Sequence, residues 1–217
     1  MKRKTAIITN LVVGVMSFAA WLWMVFAVSH GGPLTDGGLR SLKFYTVLSN
    51  LLNGAVCLVF AARLLGSGWV TTRLKTWRLV GASTAGLTFL TVMLFLGPAF
   101  GYQYMFNGPN FFLHFLLPVL SILSFICFER TGTIPYRYTL YAMLPMLLYT
   151  IGYLLNIIIQ GVGEWPNRHD FYGFLLWGLP VGVAIFVGLI LLTWGLALLM
   201  RKLGGAARPQ KQTSEKR

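Results

Sequence analysis

Charge is scarce in this sequence, and negative charge above all. Only 11% of the 217 residues are charged and five are acidic, against 56% hydrophobic. The few charges lie at the ends and in short connections, which excludes a soluble globular domain and describes an integral membrane protein. Cysteine is almost absent as well: Cys57 and Cys127 fall in apolar runs without CxxC spacing or a nearby His ligand. They read as small packing residues and carry no information on redox compartment. No internal repeat and no matched pair of Gly/Pro-broken helices marks the two halves, so the inverted-repeat architecture of transporters has no support. The formal charge of +13 sits beside apolar runs, where anionic headgroups account for it, and no basic patch on a soluble fold points to nucleic acid.

What the chain does have is a series of long apolar runs. A helix needs about 20 residues to cross ~30 Å of hydrocarbon. Six stretches qualify: 5–28, 44–65, 79–98, 110–128, 138–160 and 171–200. The first lacks a cleavage signature and is expected to be retained. The expected fold is all-α: a single domain of six transmembrane helices over residues 1–200, with a basic, disordered tail over 201–217. Six spans put both termini on one side. With the termini cytoplasmic, only Arg40, Lys43 and Arg168 of the 18 Lys and Arg residues lie outside, and the other 15 lie inside. That asymmetry orients the chain by the positive-inside rule. Compact loops and the lack of a long targeting segment point to a bacterial cytoplasmic membrane.

Within these runs the polar residues fall on stripes. The second span places Thr46, Asn50 and Asn53 at i, i+4 and i+7, and the fourth places Asn110, His114, Pro118 and Ser121 on one face. The fifth ends with Tyr149, Tyr153, Asn156 and Gln160, and the third carries Thr84, Thr88 and Thr91. His114 is the one histidine inside an apolar run, and a titratable ring in lipid marks a functional site by default. A threonine hydroxyl becomes a nucleophile when a base within hydrogen-bond reach takes its proton. Burial and the positive end of its helix keep the His114 ring uncharged and able to accept one. Asn50, Asn110 or Asn156 is then expected to orient the ring or to donate to an oxyanion, with Asn53 and Tyr153 as further polar support. Such a site, open to the outer leaflet, suits hydrolysis of a lipid ester and needs no cofactor or metal. In the outer loops, His30, His169, Asp36, Glu164 and Asp170 match no ligand spacing and read as solvated residues. Trp21, Trp23, Trp69, Trp77 and Trp165 read as interfacial belt residues.

The pattern F-x-T-x-x-x-N at Phe44, Thr46 and Asn50, followed by N-x-x-x-H-x-x-x-P at Asn110, His114 and Pro118, resembles the androgen-induced-gene family of six-span membrane threonine hydrolases. That resemblance implies cleavage of fatty acid esters of hydroxy fatty acids, with Thr46 as nucleophile and His114 as its partner. Where that family has a short Tyr-Pro-Phe-Leu segment before the last helix, this chain has Trp165-Pro166 and then Asp170-Phe171-Tyr172-Gly173-Phe174-Leu175. Two alternatives remain at this stage: a lipid acyltransferase using the same pocket, and a non-catalytic lipid- or ion-handling protein in which His114 binds or senses protons.

Overall fold

A computed structural model describes residues 3–27, 36–129, 132–163 and 168–204. His30, Glu164, Trp165 and Pro166, and the tail from 205 onward, lie outside the described residues. The described chain is all-α, with six helices long and apolar enough to cross a membrane: α1 (Arg3–Phe26), α2 (Tyr45–Gly66), α3 (Thr72–Phe100), α4 (Pro109–Phe128), α5 (Tyr136–Gln160) and α6 (Leu179–Leu203). Side chains such as Ile8, Phe26, Leu94, Ile158 and Ile159 are 60–82% exposed on the outer surface of the bundle. An apolar exterior of this kind is stable against acyl chains and not against water.

Helix α3 is the hub, with 67% of its apolar window buried against 22% for α6. Small residues let its neighbours close in, since lipid tails give helices no hydrophobic reason to associate and tight packing must do so instead. A Cβ on Gly14 of α1 would lie 2.5 Å from Leu58 of α2, and one on Gly81 of α3 would lie 3.0 Å from the Asn53 side chain. Helix α3 is locally widened at Val92–Leu96, and α4 at Phe112–Leu116 and Ser124–Phe128. A proline follows the first two, Pro98 and Pro118, and has no N–H for the carbonyl four residues back.

Three boundaries differ from the sequence reading. Helix α3 begins at Thr72 instead of Leu79, so Arg78 is not a loop charge facing headgroups. It is fully buried, among the largest side chains with no exposure. Its guanidinium pairs with Glu129 at 3.0 Å and donates to Asn10 Oδ1 (2.9 Å), Asn53 Oδ1 (3.2 Å), Ser121 Oγ (3.0 Å) and the Ser121 carbonyl (3.0 Å). Asn10 and Ser124 donate in turn to Glu129 Oε1 at 2.8 and 2.7 Å. One ionic knot thus ties α1, α2, α3 and α4 together at a single end of the bundle. A buried charge requires such pairing, because an isolated one is prohibitive in lipid.

Helix α6 begins at Leu179 instead of Phe171. The Asp170 carboxylate accepts from the Phe174 and Leu175 amides, both at 3.0 Å, and Gly173 and Gly178 take φ of 69° and 89°. These local bonds compete with helix, and the segment 168–178 folds as turns over the bundle end. At its far end α6 runs to Leu203, so Arg201 and Lys202 form its last turn instead of opening the tail.

Candidate active site

At the bundle end opposite the Arg78 knot, α2 and α4 bring Thr46 and His114 to one small cavity. Its volume is about 20 Å³, and Asn110, Met105, Phe44 and Tyr172 also line it. That is room for a single water molecule. Thr46 is 8% and His114 7% exposed.

Each partner is held from behind. The imidazole Nδ1 lies 2.6 Å from the Met105 carbonyl. A carbonyl only accepts, so Nδ1 carries the proton and Nε2 keeps its lone pair. Met105 itself is buried in a short helical turn, Tyr102–Met105, which the charge-free loop between α3 and α4 supplies. On the other side, the Thr46 carbonyl accepts from Asn50 Nδ2 at 2.8 Å and from Ser49 Oγ at 3.1 Å. The second Asn50 N–H goes to the Leu113 carbonyl, also at 2.8 Å. Asn50 therefore bridges the backbone of Thr46 to that of the residue preceding His114, which fixes the spacing of the pair.

That geometry changes the roles expected from sequence. An amide nitrogen has two N–H donors, and Asn50 commits both to backbone, so it cannot donate to an oxyanion. Asn110 keeps that capacity, since its one contact, to the Tyr104 carbonyl, is long at 3.5 Å. Thr46 occupies the second position of α2, where a helix start leaves amide donors without intrahelical acceptors, so its own N–H is available as well. Asn53 belongs to the Arg78 knot and not to this cavity. Tyr153 and Asn156 are also elsewhere: the Tyr153 hydroxyl donates to Asp170 at 2.7 Å, Asn156 accepts from Gln160 at 3.0 Å, and both line a separate, larger cleft. Asp170, read from sequence as a solvated loop residue, is fully buried beneath the 168–178 segment. His169 is a loop residue whose Nδ1 lies 2.9 Å from the Gly161 carbonyl.

The residue that sequence reasoning missed is Tyr172. Its phenol oxygen accepts from the Tyr45 amide at 3.1 Å, and the residue lines the same cavity as Thr46. Burial pushes this phenol up to about 12, while the hydrogen bond from the Tyr45 amide acts in the opposite direction. It therefore stays protonated at physiological pH. The signal for it was positional: Tyr172 lies in the segment where the chain departs from the pattern of the family it resembles.

No family model matches the chain, and no curated protein or solved structure matches it either.

Proposed function

We propose that this integral membrane protein is a lipid ester hydrolase in which Thr46 is the nucleophile and His114 the base, as in the androgen-induced-gene family whose motifs it resembles. The observation that carries this reading is the shared cavity: a buried hydroxyl and an imidazole with a free Nε2 face the same space, sized for one water. In the acylation step Thr46 Oγ1 attacks the ester carbonyl carbon, and its proton passes to His114 Nε2, directly or through that water. The tetrahedral oxyanion is met by the Asn110 amide and the Thr46 N–H. Collapse breaks the ester C–O bond, His114 returns the proton to the leaving alkoxide, and the acyl group stays on Thr46. Water then releases the acid by the same route in reverse. The excess of Lys and Arg in the loops of the opposite end supports the reading that this end faces outward from a bacterial cytoplasmic membrane. That asymmetry survives when Arg78 is set aside as buried.

Hydrolysis and acyl transfer share this acyl-enzyme and part only at the acceptor, water in one case and an alcohol in the other. Labelling of the purified protein by a fluorophosphonate probe tests the assignment. Labelling of the parent that disappears in Thr46→Ala and falls in His114→Gln is expected, and undiminished labelling in both would reject it. Mass spectrometry of products from a model lipid ester then distinguishes free acid from a new ester.

A further inference from the structure

Between α2 and α5 runs a cleft of about 1190 Å³, far larger than the cavity at Thr46 and separate from it. Its α2 wall is the stripe Tyr45, Leu48, Ser49 and Leu52, and its α5 wall is a single stripe from Pro145 to Gln160. At ~1.5 Å per residue that second wall is about 22 Å long. That length accommodates an extended long acyl chain.

The groove is polar at one end only. Arg40, Lys43 and Arg168 ring the mouth and Asp36 joins them, with Lys43 paired to Asp36 and Arg168 lying 3.8 Å from Asp170. Among the described residues, three cations against two carboxylates leave one positive charge. Arg40 makes no ion pair among the described residues, and Arg168 Nε is buried without an acceptor. The Tyr45 and Tyr149 rings, with centroids 5.2 Å apart, line both this cleft and a second small cavity that reaches Thr46, and so divide the two spaces.

We propose that this cleft binds a single-chain amphiphile with a carboxylate head, the head at Arg40 and Arg168 and the chain laid between α2 and α5. The net charge of the mouth matches a monoanion, guanidinium groups suit a carboxylate, and the length of the α5 wall suits an extended acyl chain. The site stands apart from the Thr46 and His114 chemistry, so its test reads occupancy and not turnover.

The protein is reconstituted in phosphatidylcholine nanodiscs and photolabelled with a diazirine analogue of palmitate, and the labelled peptides are mapped. Labelling concentrated between Tyr45 and Leu52 and between Pro145 and Asn156 is expected. Palmitate should compete it away and hexadecanol, which has the same chain without charge, should not. Arg40→Gln with Arg168→Gln should weaken palmitate competition by about tenfold. Gly152→Phe fills the groove from a position where an added Cβ meets nothing within 4 Å, so it should abolish labelling in a folded protein. Label spread evenly over α1 and α6, equal competition by hexadecanol, stronger displacement by phosphatidylglycerol, or a crosslinked second copy seated in the groove would each overturn the proposal. Loss of cleft labelling with fluorophosphonate labelling of Thr46 intact would reject this site and leave the hydrolase reading standing; the converse would do the reverse.

Discussion

The two ends of the bundle hold polar clusters of comparable burial and opposite character. Around Arg78 the groups are ionic and bond chiefly to one another, with guanidinium, carboxylate, amide and hydroxyl joined across four helices and only Asn53 Nδ2 and Glu129 Oε2 left buried without a partner among the described residues. Around Thr46 they are neutral, each is pinned to backbone from behind, and the faces they turn toward each other border a cavity. A polar network whose valences point inward staples a fold, whereas one whose valences point into a space is arranged to meet something. Burial alone does not separate structure from function in a membrane protein; the direction of the unused hydrogen-bonding capacity does.

The contrast breaks most visibly at Arg78. Arg78→Ala leaves Glu129 buried without its counterion and should cost about 3–5 kcal/mol, seen as loss of folded protein or a large drop in Tm in detergent. Removing both charges together, Arg78→Met with Glu129→Leu, should recover much of that loss. If the double variant is no better than the single, the pair is not the unit that holds this end together. At the other end the order of effects inverts. His114→Gln should lower hydrolysis of a model lipid ester by roughly 100-fold or more while leaving Tm nearly unchanged. A His114→Gln protein that keeps full turnover would remove the base from the mechanism.

How far the sequence revealed these two ends follows from the same contrast. The six helices were plain, because apolar runs of membrane-crossing length have few other readings. Thr46, Asn50, Asn110 and His114 were also legible, since polar residues at i, i+4 spacing stand out against an apolar background. The Arg78 knot was not found, because Arg78 follows Arg73 and Lys75 and the three together look like one basic loop. The clue lay in scarcity: Asn10 interrupts the first apolar run, and Glu129 is one of only five acids. Stripes also misled, since periodicity gives a face and not a neighbour. Asn53 shares a stripe with Thr46 but sits two turns deeper, within reach of Arg78. Tyr153 and Asn156 face the cleft along α5. Tyr172 was hidden because the 168–178 segment reads as the start of an apolar helix until the Asp170 carboxylate captures its amides.

Asn50 and Asn53 sharpen the comparison at intermediate size. Asn50→Leu removes both bonds of the bridge and leaves the Leu113 carbonyl without its donor, a loss of about 1–3 kcal/mol. It should lower fluorophosphonate labelling as well as Tm, because Thr46 and His114 lose their fixed spacing. Asn53→Leu should cost similar stability and leave labelling of the remaining folded protein unchanged. Identical labelling in the two variants would mean that the bridge does not set the geometry of the pair.

The smallest effect is expected at Tyr172. Tyr172→Phe deprives the Tyr45 amide of a partner, a change of about 1 kcal/mol near neutral pH. Its pH dependence is more telling than its size. The phenol has an ordinary value of 10.0 and is raised to about 12 in the folded protein. Below pH 10 it is protonated in both the folded and unfolded chains and contributes no slope. Between about pH 10 and 12 the unfolded chain gives up this proton while the folded chain keeps it, so stability falls as pH rises. Other buried phenols contribute to the same decline, and the informative quantity is the difference between parent and variant. Thermal unfolding at pH 9, 10 and 11 should show a shallower alkaline loss in Tyr172→Phe, by at most one proton. Equal slopes would place the Tyr172 hydroxyl in water and detach the 168–178 segment from Thr46.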